Sequence, residues 1–344
     1  MPLTINTNIS SLITQRNMTK ATNALNQSIE RMTTGYKINH ASDNAAGYSI
    51  ANMWDTQISS LDVAADNAAT GADLLTTAEE TYSLLTSHLQ RVRDLTEQAA
   101  NGTFGSNSLR ALQGEITGRL QEITRIANNS EFNGIKLMAY DTTKSAAENA
   151  WTGLKATGID LQVGLYSDKN SQINLQVSLF SNATVSGLFN ALKSESCKQA
   201  PSQTLGGILT AAGLTGDLNT NEGAKAFAAA CTGLKYSVVD GKDKYEMQTA
   251  DNCEPKHLLE FIDKAIDDIS SRVTAIGAAQ NRVSSAVTAL DVQSQNITSS
   301  LSTLRDTDIA KESSNFVQSQ ILQQASATLM STANQLPSVA LNLI

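Results

Sequence analysis

The chain has 344 residues, a net charge of −8 at pH 7, 41% hydrophobic residues and only 5% aromatic residues. The acidic balance and the lack of a basic patch with interleaved aromatic residues argue against nucleic-acid binding, and no apolar stretch is long enough to predict a membrane span. The sequence has no Ser/His/Asp constellation, phosphate-binding glycine loop or His/Cys metal spacing, so we expect no enzyme, cofactor or metal site. The length predicts two or three domains.

The first 34 residues combine few charges with apolar residues at helical spacing. They lack the charged start, the continuous apolar run and the cleavage site of a secretory signal peptide. The pattern predicts an amphipathic helix that packs in an assembly, and a frayed, disordered end is the alternative. The residues predicted to pack are Ile5, Ile9, Leu12, Leu25 and Ile29.

Two further helices are predicted before residue 135. Apolar steps of three and four over 58–95, with a shift near Glu79, predict a long helix that ends at Asn101-Gly102, because glycine accommodates the left-handed cap conformation. An apolar face over 108–127 predicts a second helix, which the turn residues Asn133-Gly134 follow.

The apolar pattern changes after residue 134. Residues 159–163 and 173–177 alternate between apolar and polar side chains, which predicts a β-hairpin. Residues 178–255 contain glycine turns, a short alanine-rich stretch at 223–230 and a second apparent hairpin at 236–247. We therefore expect a small mixed α/β domain inserted between the long helices.

Three cysteines fall in this predicted insert. Cys197, Cys231 and Cys253 are separated by 34 and 22 residues, which matches no zinc-site spacing. In an exported protein one pair can form a disulfide and leave the third thiol free. The sequence does not select the pair.

The clearest periodic segment runs from Ile262 to Leu304. Eleven of its thirteen core positions are apolar over six heptads, which predicts a coiled-coil helix, and Gln280 and Ser294 are the two polar core positions. At 1.5 Å per residue this helix would span roughly 60 Å, so it needs a partner of similar length. The helix over 58–95 is the predicted partner.

The last 32 residues, from Ser313 to Ile344, contain no Asp, Glu, Lys or Arg. Their apolar residues recur at helical spacing, which predicts an uncharged helix buried against other helices. The residues predicted to pack are Leu329, Leu336 and Leu343. The whole pattern predicts a mainly α fold: a long antiparallel coiled-coil rod with terminal core helices, a β-hairpin and a small mixed α/β inserted outer domain.

Several segments in order along the chain resemble the signatures of bacterial flagellins. The likeness covers roughly residues 1–176 and 256–344, whereas the insert and the final Leu341-Asn342-Leu343-Ile344 depart from the family pattern. The matching segments are residues 33–39, 42–52, 89–95, 128–137, 278–282, 306–312 and 333–335.

The resemblance implies a structural subunit that polymerises into the extracellular flagellar filament for swimming motility and is exported without a cleaved signal peptide. It implies terminal core helices at 1–42 and 306–344, rod segments at 43–177 and 256–305, and a surface-exposed insert at 178–255. The partners it implies are other copies of the chain, an export chaperone at the C-terminal tail, and the filament cap and hook–filament junction proteins. A hook–filament junction protein or a minor filament component is the alternative.

The resemblance also implies recognition by the host Toll-like receptor 5. The matching positions are Arg91 and Leu95 in the Gln-Arg-Val-Arg segment and Glu115 in the next helix. Arg91 and Leu95 are four residues apart, so we expect them to share a helix face. A signalling coiled coil of the chemoreceptor type is a further alternative, but it would need a sensor domain or membrane span that the sequence lacks.

Overall fold

A computed structural model describes residues 8–139, 152–155, 157–189, 221–232, 234–239, 242–247 and 255–341. The mainly α prediction is confirmed. The helices are α1 (Ile9–Thr34), α2 (Ala45–Ala100), α3 (Ser106–Asn129), α4 (Val185–Phe189), α5 (Asn221–Cys231), α6 (Pro255–Arg305) and α7 (Ile309–Leu341). The strands are β1 (Glu131–Phe132), β2 (Ile135–Lys136), β3 (Ile159–Gln162), β4 (Gln172–Leu175), β5 (Leu234–Val239) and β6 (Lys242–Met247). Of the residues singled out above, those outside the described residues are Ile5, Cys197, Cys253 and Leu343.

The chain divides into two compact units. Unit 1 comprises Met1–Asp62 and Asp291–Ile344, and unit 2 comprises Val63–Leu290. Both boundaries fall inside long helices, one in α2 and one in α6. These boundaries do not coincide with the segment boundaries that the resemblance implied.

Unit 1 is built around α1 and α7, which pack against each other in antiparallel directions. Side-chain hydrogen bonds join Thr22 to Gln323 at 3.2 Å and Ser28 to Glu312 at 2.6 Å. Residue numbers therefore increase along α1 and decrease along the adjacent part of α7, as in an antiparallel pair. Small side chains fill the contact and allow the two helices to approach closely. The buried small residues on the two helices are Ala21, Ser28, Ser319, Ser326 and Ala333.

The connections at the ends of these helices are joined to each other. Gly35 ends α1 in the left-handed conformation at φ 75°, and its carbonyl oxygen accepts a 2.8 Å hydrogen bond from the Thr307 N–H. Tyr36 and Asp306 form an antiparallel bridge. The Arg305 guanidinium lies 3.8 Å from the centre of the Tyr36 ring and pairs with Asp55 at 2.5 Å. The α1–α2 and α6–α7 connections therefore form one local structure.

The core of unit 2 is formed by α2, α3 and α6 together with parts of the predicted insert. Tyr82 on α2 is fully buried and donates a 2.9 Å hydrogen bond from its hydroxyl to the Leu179 carbonyl, while burial raises its pKa. Phe189 and Phe227 are also fully buried, with ring centres 4.8 Å apart. The predicted insert at 178–255 therefore contributes large buried side chains of its own, and its exposure on an assembled filament stays a prediction.

A polar pair explains two irregularities of the heptad pattern. The Gln280 side chain donates a 2.8 Å hydrogen bond to Glu79 Oε2. Gln280 is a polar core position of α6, and Glu79 marks the shift in the apolar stripe of α2. Each polar group satisfies the other, so both irregularities lie at one place in the helix packing.

All three two-stranded sheets of the described structure are antiparallel hairpins. Asn133 and Gly134, at φ 49° and 79°, form the tight turn between β1 and β2, as their positive φ values require. The predicted hairpin at 159–177 is confirmed by β3 and β4, in which Ile159 pairs with Leu175. The second predicted hairpin is confirmed by β5 and β6, where Val239 pairs with Lys242.

Candidate interaction surfaces

The first candidate surface is an exposed apolar stripe on the two terminal helices. Ile9 on α1 and Leu329 on α7 are each 61% exposed in unit 1. Aliphatic side chains at this density, on helices with few charges, mark a surface that another molecule covers. The exposed members, called here the terminal stripe, are Ile9, Leu12, Ile13, Ile29, Val317, Ile321, Leu322 and Leu329.

The residues predicted to pack are thus divided between two environments. Leu25 is half-buried, whereas Ile9, Leu12, Ile29 and Leu329 are exposed. Leu336 lies on α7. The contact within the pair uses small side chains, so most large aliphatic residues are left for other partners.

A buried carboxylate lies at the start of the uncharged tail. Glu312 is buried in the α1–α7 contact, where Ser28 Oγ donates to its Oε1 at 2.6 Å and Arg31 Nη1 lies 4.0 Å from its Oε2. The Nε atom of Arg31 is buried without a hydrogen-bond partner in the described structure. The hydrogen bond from Ser28 gives the buried Glu312 carboxylate a partner on α1 and so links the two helices at this position. Sequence reasoning missed this residue, although its place as the last charge before the tail was a signal that could have found it.

The second candidate surface lies on unit 2, where α2 and α3 pack side by side. Arg91 Nε donates to Glu115 Oε1 at 2.8 Å, and both side chains are more than a third exposed. Arg119 extends this group, with Nη2 at 3.8 Å from the same Glu115 oxygen and Nη1 at 3.4 Å from His88 Nδ1. We call these four residues the charged patch.

Electrostatics within the charged patch follow from these contacts. The hydrogen bond from Arg91 to Glu115, followed by the charge of Glu115, raises the pKa of Arg91. Burial, followed by the charge of Arg119, lowers the pKa of His88. His88 is therefore neutral at neutral pH, and Arg91 and Arg119 carry the positive charge of the patch.

Leu95 does not belong to this surface. It is 1% exposed and packs in the hydrophobic core of unit 2. Four-residue spacing places it next to Arg91 along the helix, but Leu95 turns inward while the long Arg91 side chain reaches solvent. The expectation that Leu95 shares an exposed face with Arg91 therefore does not fit its burial, and receptor contact by Arg91 and Glu115 stays a prediction.

The signature segments near residue 43 and residue 308 have local structural roles. Asp43 accepts hydrogen bonds from the backbone N–H groups of His40 and Asn39, and these bonds, led by that of His40, lower its pKa. Asn44 accepts from the Gly47 N–H at 2.9 Å, and Asp308 accepts from the Ala310 N–H at 2.9 Å. Asn44 and Asp308 therefore cap the starts of α2 and α7, and Asp43 holds the turn that precedes α2.

Gly47 packs closely against two neighbouring side chains. A Cβ atom there would lie 2.8 Å from Ile38 Cδ1 and 2.9 Å from the Asn44 amide. The Ile38 and Asn44 side chains, from the connection between α1 and α2, therefore pack against the first turn of α2 at Gly47.

Cys231 is fully buried and has no disulfide partner among the described residues. Burial raises its pKa to about 12. No group of His, Cys, Asp and Glu side chains in the described part of the chain is arranged to hold a metal ion.

Comparison with known families identifies the chain. The family model for the bacterial flagellin N-terminal helical region matches residues 5–143, and that for the bacterial flagellin C-terminal helical region matches residues 259–344. The chain belongs to the bacterial flagellins. It is a structural protein rather than an enzyme, and it self-polymerises into the flagellar filament that drives motility.

Individual relatives match this flagellin over its whole length. Polar flagellin F of Vibrio parahaemolyticus is 31% identical over 378 residues, which covers 100% of both chains. Flagellin C of Vibrio cholerae is 32% identical over 382 residues, and flagellin A of Vibrio anguillarum is 30% identical over 392 residues, again with both chains fully covered. None of the described helices combines the length and apolar character needed to cross a membrane.

Proposed function

We propose that other copies of this flagellin cover the terminal stripe when the filament forms. The observation that carries the proposal is the 61% exposure of Ile9 and Leu329 on a helix pair with few charges. Burying such side chains favours association through the hydrophobic effect. The antiparallel contact between α1 and α7 is made of small residues, so the larger aliphatic residues are available to neighbouring subunits.

We further propose that part of the terminal stripe serves other partners before and during assembly. A groove of about 540 Å³ on α7 is lined by Val317, Ile321 and Leu322 with neighbouring polar side chains. An export chaperone at the C-terminal tail would cover this groove and prevent premature polymerisation. The filament cap and the hook–filament junction proteins would meet the same helices at the two ends of the filament.

Seeded growth tests the principal role directly. Purified chain is added to short filament fragments, and electron microscopy measures the length of the product. A main filament subunit extends the seeds without a second protein. A chain that adds only one layer to hook or filament ends would instead favour the alternative of a hook–filament junction protein or a minor component.

We also propose that the charged patch is recognised by Toll-like receptor 5. Arg91 and Glu115 are exposed and already paired, so a partner meets a pre-arranged group with several hydrogen-bond donors. Arginine is enriched among residues that contribute strongly to interfaces. Leu95 is left out of the proposed contact, because it is buried in the core of unit 2.

A reporter assay in receptor-expressing cells tests this second role. Arg91→Ala is expected to reduce signalling by soluble subunits about tenfold, because truncating an important interface residue costs at least about 1–2 kcal/mol. Arg125→Ala is the matched control, since Arg125 also forms an exposed ion pair, with Glu122 at 2.6 Å on α3. Equal potency of Arg91→Ala and wild type, or silence of the wild-type subunit, would contradict the receptor role and leave the filament role intact.

A further inference from the structure

Helix α7 contains a proline close to its C-terminal end. The helix runs from Ile309 to Leu341 and so continues through Pro337. A proline has no backbone N–H, and the carbonyl oxygen four residues earlier therefore loses its usual donor within the helix. That carbonyl belongs to Ala333, which is buried. A buried carbonyl without a donor destabilises a fold, so another donor is needed.

The donor comes from the other end of the chain. Asn8 Nδ2 donates a 2.7 Å hydrogen bond to the Ala333 carbonyl oxygen. The Oδ1 atom of the same side chain accepts from the Ser11 N–H at 3.1 Å and so caps the start of α1. One amide group thus completes the first turn of α1 and the interrupted turn of α7.

Few side chains can perform both tasks. Asp and Ser are good helix caps, but an ionised Asp has no donor, and the Ser hydroxyl is on a shorter side chain with one hydrogen. The amide of Asn presents an acceptor and a donor side by side. The residue at position 8 must therefore supply a hydrogen-bond donor as well as the acceptor that caps α1.

A second contact joins the same two turns. Ser11 Oγ donates to Asn334 Oδ1 at 2.8 Å, directly beside the bond from Asn8 to Ala333. If α1 slipped by one turn along α7, the Asn8 amide would face a carbonyl that already has a helical donor. The carbonyl freed by Pro337 would then stay unsatisfied. The observed alignment is the one that satisfies both groups.

We propose that Asn8 and Pro337 form a matched register lock, in which the proline frees one carbonyl of α7 and the Asn8 amide is the donor that fits it. Because the lock links the cap of α1 to the presence of α7, the first turn of α1 and the last turns of α7 become ordered together. They do so in a single alignment of the two helices. A simple cap would stabilise α1 whether or not α7 lay beside it. The lock adds to the filament role a rule for how the terminal helices are aligned.

The test is a double-mutant comparison measured as the critical concentration for seeded filament growth of the full chain. Asn8→Ser and Asn8→Asp each keep a capping acceptor but lose the amide donor. We expect each to raise the critical concentration about tenfold, because a buried acceptor is left without a partner. In a Pro337→Ala background the same changes should have an effect under about threefold, since an alanine at position 337 would supply the N–H within the helix.

Two controls accompany this test. Asn17→Ser, at an exposed position of α1, measures the general effect of this exchange. A variant that does not form filaments by itself is mixed with wild-type chain in a seeded reaction. The fraction of the variant that enters the filaments is then compared between the Pro337 and the Pro337→Ala backgrounds. Equal losses from the position 8 variants with and without the Pro337→Ala substitution, or no loss while Pro337 is present, would overturn the register lock.

Hydrogen exchange separates failure of the lock from failure of the filament role. If the wild-type chain does not extend seeds, the filament role is contradicted, and exchange is then measured on the soluble chain. The lock predicts that Asn8→Ser speeds exchange at residues 9–14 and 333–341 together, and only when Pro337 is present. Faster exchange in α1 alone would show a simple cap and reject the lock.

Discussion

Replacing Leu329 by Asp should block polymerisation without unfolding the subunit. Leu329 lies on α7 and is 61% exposed, so its side chain contributes little to the folded subunit. Exposed substitutions of this kind usually change the free energy of unfolding by no more than about 0.5 kcal/mol. The circular dichroism spectrum and the melting temperature of the soluble Leu329→Asp chain should therefore match those of wild type.

The expected loss in the filament is much larger. Fully burying a leucine side chain is worth about 1.5–3 kcal/mol, and most of the Leu329 surface is still available to be covered, so its loss costs about 1–2 kcal/mol. Burying an unpaired carboxylate costs several kcal/mol more. A total of at least about 4 kcal/mol corresponds to a critical concentration raised roughly a thousandfold.

Sedimentation of seeded reactions over a range of concentrations measures this effect. Leu329→Asn separates charge from shape, because it removes the apolar contact without adding a carboxylate. Leu329→Ala should raise the critical concentration only about tenfold, since it loses the apolar area alone. If Leu329→Asp grew filaments at the wild-type concentration, the terminal stripe would not be covered by neighbouring subunits.

Three other predictions address the two units separately. Limited proteolysis should remove α1 and α7 from soluble subunits and spare them in filaments, because their apolar faces are buried by neighbouring subunits only after assembly. Equal protection of the two helices in both forms would contradict this. Phe227→Ala should destabilise unit 2 by about 3–5 kcal/mol, since it empties a core position, and an unchanged melting curve would reject this placement. In a chain whose other two cysteines are replaced by serine, native Cys231 should resist thiol reagents at pH 8. Because its folded pKa is raised from 9.0 to about 12, its contribution to stability should be complete below pH 9 and be lost as the pH rises toward 12. Cys231→Ala should remove this pH dependence.

Local patterns in the sequence predicted the long helices and hairpins well. The helix predicted over 108–127 extends over Ser106–Asn129, and the long helix of the N-terminal third ends at Ala100, directly before Asn101-Gly102. Helical periodicity and turn chemistry act over a few residues, so a single chain carries this information. The resemblance to flagellins depended on the same segments.

The environment of each side chain was harder to predict. Spacing placed Arg91 and Leu95 on one face, but it could not show that Leu95 turns into the core. The segment containing Phe180 and Phe189 breaks the heptad pattern, and the sequence did not show that both side chains are fully buried. Both features depend on contacts between residues far apart in the chain, which periodicity does not report.

The bond between Asn8 and Ala333 shows the same limit. The sequence contains Asn8 and Pro337, but their relation depends on which turn of α7 lies beside the first turn of α1. The same holds for Glu312, whose partner Ser28 lies 284 residues away. Long-range polar pairs of this kind emerge only from the packed helices.

Electron cryomicroscopy of filaments grown from the purified chain tests the central claim most directly. The exposed fraction of each side chain in the terminal stripe would be compared between the isolated subunit and a subunit inside the filament. The account predicts that Ile9, Leu12 and Leu329 become buried against other copies, with α1 and α7 still paired through Ser28 and Glu312. Filaments in which these three apolar side chains stay exposed to solvent would contradict it.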